Sequence, residues 1–434
     1  MSSGYAISLN QGTGTQTEPA LTQFFPQFLY YATLFTIPYY QWRTISDAYF
    51  FLKVDWLLVA ALILLLIPVI IVSKKIPDSL RSNLWPWLIL FFLVNLVSSL
   101  ISSYSDAALR EVFNTLVIGY IFIGLSLIMI SEKGFTTIMP LVVGLSVGIN
   151  SFIGFLQYFF NYMPFGAPLA ERGRGLTIGA NNMALMCVFT LPLMVHWAFH
   201  ARDRKSAFLA ILLLIVNILG VISSASRGGF LSMLFVAFLI ILEIRHRFHP
   251  RYLGLVIAFL SIGCMAIIAF TPQAYFERQS TILEGADADK STRRRTDYLI
   301  VGLKSFFEHP ILGTGTLTFD KTWVRSQKTR KYNLTERPAH NTYMEVLVGS
   351  GLLGTFFFAM LLLQSLSNFT RAKRLFVEKG NDLMASLGGA YRISFMAVLI
   401  YFLFKSGLEH KMFLLALPLS QVALNLALQG QNQT

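Results

Sequence analysis

The chain has 434 residues, 55% of them hydrophobic and only 13% charged, with a mean hydropathy of +0.59. That composition excludes a soluble domain on a single anchor, because membrane spans of about 20 apolar residues use up most of the chain. The net charge of +13 comes from basic residues scattered between apolar segments rather than gathered in one patch, which argues against nucleic acid as a partner.

The first stretch, 1–23, is polar, rich in Gln and Thr and without a basic n-region, so it reads as a tail and not as a cleaved signal peptide. Apolar runs follow at 24–40, 54–72, 84–103, 112–130, 136–160, 180–200, 207–224, 229–243, 252–270, 341–368, 384–405 and 410–428. They predict an all-α polytopic membrane protein of about twelve transmembrane helices. Nine spans occupy 24–270, a long connection 271–340, three more spans 341–428, and a short tail 429–434. Cys187 and Cys264 both fall inside apolar runs, so no structural disulfide is expected.

Charge orients these spans. Lys74, Lys75 and Arg81, then Lys133, then Arg202, Arg204 and Lys205, then Arg245, Arg247 and Arg251, then Arg371, Lys373, Arg374 and Lys379 fall on one alternating set of connections. The other short connections are poorer in Lys and Arg. Positively charged loops stay in the cytoplasm. Both termini are therefore expected inside and 271–340 outside.

Segment 207–243 would be a helix of about 55 Å, too long for one crossing, so it must fold back. The break is Ser223 to Gly229, where Gly228 and Gly229 permit a tight reversal. Arg227 is then held at the outer lip, where a guanidinium needs an anionic partner or a lipid headgroup. The connection 161–179 places Arg172 and Arg174 on glycine-flanked backbone at the same face.

Within the long connection, Thr292 to Glu308 predicts an amphipathic helix near the membrane surface, capped by Ser291 and stopped by His309-Pro310. Arg293, Arg294 and Arg295 fall in its first turn, the wrong sign for a helix N-terminus, which leaves a nearby anion or an exposed basic face. Gly313-Thr314-Gly315 is a turn signal without the following helix start that a phosphate cradle needs.

The arginines at 172, 174, 227, 293–295 and 337 all fall on the outer face and together suit a diphosphate, because Arg binds phosphate bidentately and keeps its charge. His340 stands immediately before a helix that Asn341 can cap. The positive helix end and nearby arginines disfavour imidazolium, leaving a neutral ring able to act as a general base. The ordinary alternative is an interfacial histidine packing at a loop end. Asp287-Ala288-Asp289 has the DxD spacing of metal-dependent sugar transferases but sits in a Gly/Ala/Asp stretch that reads as a loop tip, so no metal or cofactor is expected. His309 reads as a helix stop, His196, His200, His246 and His249 fall at inner ends, and Glu409 and His410 fall outside between the last two spans. No zinc spacing, Ser-His-Asp order or Walker loop occurs.

Ser224-Ala225-Ser226-Arg227-Gly228, the long outer connection, and Ala339-His340-Asn341 followed by Gly349 to Gly354 resemble the bacterial O-antigen ligases. That superfamily also holds O-antigen polymerases and protein O-oligosaccharyltransferases. Arg294 to Tyr298 with His309-Pro310-Ile311-Leu312-Gly313 is similar to a family pattern that usually has Trp where this chain has Tyr298; Arg295 is the alternative counterpart of the arginine. Arg174-Gly175-Leu176-Thr177 with Asn181, Asn182 and Ala184 is similar to another shared stretch.

The resemblance implies a GT-C-type glycosyltransferase in the bacterial inner membrane. It implies transfer of a glycan from undecaprenyl diphosphate to the lipid A–core oligosaccharide at the periplasmic face, with inversion and without a metal. His340 is then the base, and Arg174, Arg227, Arg294 or Arg295, and Arg337 hold the diphosphate, with Arg172 and Asn341 as further contacts. A polymerase using the same donor is the nearest alternative. A lipid or oligosaccharide transporter is disfavoured by the lack of midplane charges and of an internal repeat.

Overall fold

The computed structural model describes residues 20–39, 63–64, 80–162, 172–245, 276, 280, 290–332 and 335–429. Most of the expected span at 54–72, all of that at 252–270, Cys264, His246, His249, Asp287 and Asp289 lie outside the described residues, as do most of the N-terminal tail and residues 430–434.

Helices run in the order α1 (Ala20–Phe35), α2 (Trp85–Ile101), α3 (Ser105–Met129), α4 (Gly134–Phe160), α5 (Ala180–His200), α6 (Arg204–Ser223), α7 (Arg227–Ile244), α8 (Lys290–Glu308), α9 (Phe319–Arg325), α10 (Thr342–Glu378), α11 (Asp382–Tyr401) and α12 (Lys411–Gln429). No strand occurs among the described residues. Eight of these helices, α3 to α7 and α10 to α12, are long and apolar enough to cross a membrane. The protein is therefore a polytopic helical membrane protein, and its described residues supply eight helices of spanning length rather than twelve. The expected first and third spans are present as the shorter helices α1 and α2, of 16 and 17 residues.

The packing is that of a chain dissolved in lipid. Phe208, Ile211 and Ile215 of α6 and Leu234, Phe238 and Ile241 of α7 point outward, while Ser151, Asn217 and Asn95 are buried. Hydrocarbon does not penalise exposed Leu or Phe, so polar groups turn inward and pair there. Asn217 Nδ2 donates to the Leu213 carbonyl at 2.8 Å, and Ser151 Oγ donates to Asn217 Oδ1 at 3.2 Å. Helix α5 packs against α4, α6, α7 and α11, and α12 packs against α3, α10 and α11.

The reversal between α6 and α7 is present where expected, but its left-handed residue is Ala225 (φ 44°), not a glycine. Gly228 and Gly229 lie inside α7 and serve close packing instead. A Cβ at Gly228 would stand 2.6 Å from Phe404 Cβ, and one at Gly229 2.7 Å from Ala184 Cβ.

Helix α10 departs most from expectation. It runs 37 residues to Glu378, so Arg371, Lys373 and Arg374 are helical rather than part of a loop, and it breaks at Gly351 (φ 61°, ψ −161°). A break inside an apolar helix frees backbone groups that lipid cannot satisfy. Here the 310–315 segment satisfies them. Leu352 N donates to Pro310 O at 2.8 Å and Leu353 N to Ile311 O at 3.2 Å, while Thr314 N and Gly315 N donate to Val348 O and Gly349 O, each at 2.9 Å. Gly313 and Gly315 both have positive φ; a Cβ at Gly313 would meet α10 at Val348 and Gly349, and one at Gly315 would meet Ser102 and Ala108. A helix does begin soon after them, at Phe319, contrary to expectation.

Helix α8 includes Lys290 and Ser291, so Ser291 is inside the helix and not its cap. Tyr298 and Val301 pack with Phe319, Trp323 and Met344, while Leu299, Ile300, Leu303 and Phe307 remain exposed as the face available to a membrane surface. Asp297 fastens the helix from the side, ion-pairing with Lys328 and accepting from the Tyr332 hydroxyl at 2.9 Å.

Candidate active site

The starts of α5, α7 and α10 meet the ends of α6 and α11 at one end of the bundle. Thr342 N donates to Phe402 O (2.9 Å), Tyr401 Oη to Asn181 O (2.9 Å), and Gly173 N to Ser223 O (2.9 Å). A cavity of about 110 Å³ opens there, lined by Arg172, Asn181, Ser226, Arg227, Gly228, Arg294, Arg295, Tyr298, His340 and Phe404. Among the described residues, four arginines from three separate stretches stand in its walls and no carboxylate does.

Each wall follows from local sequence. Ser226 caps α7, its Oγ accepting from Gly229 N at 3.2 Å, which places Arg227 at the first turn. Arg172 is braced by Nε to the Ser224 carbonyl (2.7 Å) and Nη2 to Asn181 Oδ1 (2.9 Å). Arg294 reaches over the Tyr332 ring, 5.9 Å from its centroid. The N-terminal turns of α5 and α7 supply Asn181 and Gly228, and α10 starts two residues after His340. Three positive helix ends therefore add to the guanidinium charge. The charge of this arrangement is complementary to that of a compact anion.

His340 is held from both sides. Its own backbone is left-handed, at φ 53°. Before it, Ala339 N donates to Glu345 Oε1 at 2.9 Å, and the same oxygen accepts from the Ser406 hydroxyl at 2.6 Å. After it, Asn341 Oδ1 caps α10 by accepting from Met344 N at 3.0 Å. Burial and then the charges of Arg295, Arg294, Lys405 and Arg337 push the imidazole pKa down to about 4. The neutral ring expected from charge alone is thus reached, with burial as the larger cause.

Three of the seven expected arginines, Arg174, Arg293 and Arg337, are not in the cavity wall. Arg174 belongs to a loop stapled onto α4: Gln157 Oε1 accepts from Arg174 N (3.0 Å) and Gly175 N (2.8 Å), and Asn150 Oδ1 accepts from Leu176 N (2.7 Å). Arg337 does not line the cavity, and its Nε donates to Thr335 Oγ1 at 2.9 Å. Asn341 is committed to its capping bond. Arg293 is exposed and does not line the cavity. His309 lies in a different cleft, and His410 is buried with Nδ1 accepting from Met412 N at 3.3 Å. Among the described residues no group of three His, Cys, Asp or Glu is placed to hold a metal ion.

Sequence reasoning assigned no role to Tyr298, Asn181, Ser226, Phe404 or Glu345. Asn181, Ser226 and Tyr298 stood inside the motifs it singled out. Glu345, an acid one turn into an apolar helix, was the visible anomaly. Phe404 left no signal, because only the fold brings it against Gly228.

A family model described as O-antigen ligase matches residues 208–359, which takes in Arg227, Arg294, Arg295, Tyr298, Arg337 and His340 but not Arg172, Asn181 or Phe404. The chain is also 26% identical over 198 residues to an uncharacterized protein of Haemophilus influenzae; the match covers 43% of this chain and 49% of the relative. The chain thus spans about half the length of that curated relative.

Proposed function

Because residues 208–359 carry the domain of the O-antigen ligase family, whose members act on lipid-linked glycans, we propose that this protein transfers a glycan from undecaprenyl diphosphate to the lipid A–core oligosaccharide. The observation that carries the reading is a cavity whose described lining holds four arginines and one neutral histidine. The arginines supply the charge with which a diphosphate leaving group is held.

In this reading Arg172, Arg227, Arg294 and Arg295 bind the donor diphosphate, with Arg174 and Arg337 adding to the field from outside the wall. His340 accepts the proton of an acceptor sugar hydroxyl. That oxygen forms the new bond to the anomeric carbon from the face opposite the diphosphate, the carbon–oxygen bond to phosphate breaks, and the electron pair leaves on the diphosphate. The configuration inverts. Four guanidinium groups supply the positive charge for which other sugar transferases use a divalent cation, so the step is metal-independent. A pKa of about 4 suits a weak base in the empty cavity. The incoming diphosphate offsets the arginine charges, so the ring becomes a stronger base when the donor is in place.

The end of the bundle opposite the cavity carries Lys133, Arg202, Arg204, Lys205, Arg245, Lys373, Arg374 and Lys379. By the positive-inside rule we assign that end, and both termini, to the cytoplasm and the cavity to the periplasm of a bacterial inner membrane. The twelve-span, GT-C-type architecture belongs to the same reading. Expression in a Gram-negative strain lacking its own ligase tests it: capped lipopolysaccharide is the expected product, and longer free lipid-linked chains without capping would make the protein a polymerase instead.

A further inference from the structure

A second cleft adjoins the site, with a volume of about 450 Å³ against about 110 Å³ for the arginine-lined cavity. Helix α8 serves both. Arg294 and Tyr298 line the first, and Val301, Ser305 and Glu308 line the second. Steps of four, three, four and three residues place all five on one stripe of the helix. From Tyr298 to Ser305 the stripe climbs about 10 Å, at roughly 1.5 Å per residue. The other walls are tied together. Tyr104 N donates to Ser102 Oγ at 2.9 Å, and Ser102 Oγ donates to the Thr314 carbonyl, which joins the α2–α3 connection to the 310–315 segment. On α9, Thr322 Oγ1 donates to Thr318 O at 3.2 Å and Ser326 Oγ to Trp323 O at 2.7 Å. These hydroxyls spend their protons on backbone, so toward a ligand they act as acceptors. Lys304 and Arg325 bring donors, and Glu308 brings a carboxylate. The Lys304–Glu308 pair is long, at 4.0 Å, with side chains 79% and 59% exposed, so it competes weakly with a ligand.

We propose that this cleft is a saccharide site, holding a part of the glycan remote from the end that reacts at His340. Its lining differs in kind from that of the arginine cavity, because a carboxylate stands among the cations and acceptors stand beside donors. Glu308 repels a compact anion, and a lipid chain would strip water from these polar groups without pairing them. A sugar ring offers the matching pattern. Its neighbouring hydroxyls donate to Glu308, Ser102 and Thr322 and accept from Arg325 and Lys304, while its C–H faces suit Val301 and the Tyr104 ring. The volume falls within the roughly 300–1,000 Å³ of small-molecule sites. The arginine cavity, about a quarter of that size, has no room for a sugar chain beside a diphosphate. A grip on a remote segment supplies binding energy that keeps the reacting end in place.

The inference rests on the glycan-transfer reading for which saccharide is bound, and its test separates the two. Purified full-length protein in detergent is titrated with two soluble probes, core oligosaccharide freed of lipid A and the glycan released from the host's lipid-linked donor. Undecaprenyl diphosphate is titrated separately. Wild type is compared with Glu308→Ala, Arg325→Ala and Arg227→Ala. Glu308 and Arg325 are exposed, so their variants should keep the wild-type melting temperature. Wild type should bind a saccharide; tighter binding of the core oligosaccharide assigns the cleft to the acceptor, and tighter binding of the released glycan assigns it to the donor. Glu308→Ala and Arg325→Ala should each weaken that binding about tenfold, the scale of a hydrogen bond to a charged group, and leave undecaprenyl diphosphate binding unchanged. Arg227→Ala should do the reverse. Binding of neither saccharide by wild type, or equal affinity in wild type and both cleft variants, would overturn the assignment while leaving the diphosphate reading intact. Saccharide binding without any binding of undecaprenyl diphosphate would remove that reading and keep the cleft.

Discussion

Glu345 Oε1 accepts the amide proton of Ala339 at 2.9 Å, so a buried carboxylate from the first turn of α10 holds the peptide immediately before His340. The same oxygen takes the Ser406 hydroxyl, which ties the α11–α12 connection to the same point. The left-handed backbone of His340 is unfavourable for a residue with a Cβ, and it persists because Glu345 and Asn341 constrain the chain on either side.

Glu345→Ala should therefore destabilise the protein by about 2 kcal/mol and lower transfer at least as strongly as it lowers the melting temperature. Glu345→Gln keeps a carbonyl oxygen for Ala339 and should retain more activity than the alanine variant. Thermal unfolding and turnover measured on the same preparations check this. Equal losses in both variants would show that charge, not the hydrogen bond, is what matters.

The histidine sets a pH signature. With a folded pKa of about 4 against an ordinary value near 6.5, the unfolded chain binds more protons between those values. The stability associated with a neutral His340 is therefore full above about pH 6.5 and is lost as pH falls toward 4, by roughly 3 kcal/mol in all. His340→Gln should flatten that slope. In wild type, kcat/KM, which reports the free enzyme, should show no inflection near 6.5, while kcat should inflect higher than kcat/KM because bound diphosphate raises the ring pKa. A single inflection near 6.5 in both profiles would contradict the burial of the ring.

Arg227 and Arg174 separate what lines the cavity from what borders it. Arg227→Ala should weaken donor binding by about ten- to a hundredfold, the range for a charge-assisted contact. Arg174→Ala should weaken it several times less. Equilibrium binding of undecaprenyl diphosphate gives both values, and a reversed order would mean that the 172–177 loop closes over the ligand with Arg174 inside.

Much of the helical plan was legible because apolar runs of spanning length have few other solutions in a membrane protein. The α6–α7 reversal was legible from length alone. Its chemistry was not: Ala225 takes the left-handed turn, while Gly228 and Gly229 pack against Phe404 and Ala184, partners invisible in a local reading. The grouping of His340, Arg172, Arg227, Arg294 and Arg295 at one cavity was readable because several basic stretches fell at one face around a histidine. Arg174 and Arg337 looked equivalent to them in sequence. They differ because Gln157 and Asn150 staple one loop to α4, and because Arg337 is turned to Thr335.

The break in α10 makes a prediction about folding. A Cβ at Gly351 would stand 2.4 Å from the Ile311 carbonyl oxygen, on a backbone at φ 61°. Gly351→Ala should cost several kcal/mol and reduce the yield of monodisperse protein, since neither the turn nor the 310–315 docking can relax separately. Size-exclusion profiles of wild type and variant decide the matter.

The measurement closest to the central claim is in vitro transfer by purified protein and its His340→Ala variant, with undecaprenyl-diphosphate-linked glycan and lipid A–core supplied together. The account predicts glycosylated lipid A–core and released undecaprenyl diphosphate from the wild type. The variant should bind undecaprenyl diphosphate normally and form no product above background. Turnover by His340→Ala at a rate comparable to wild type would contradict it.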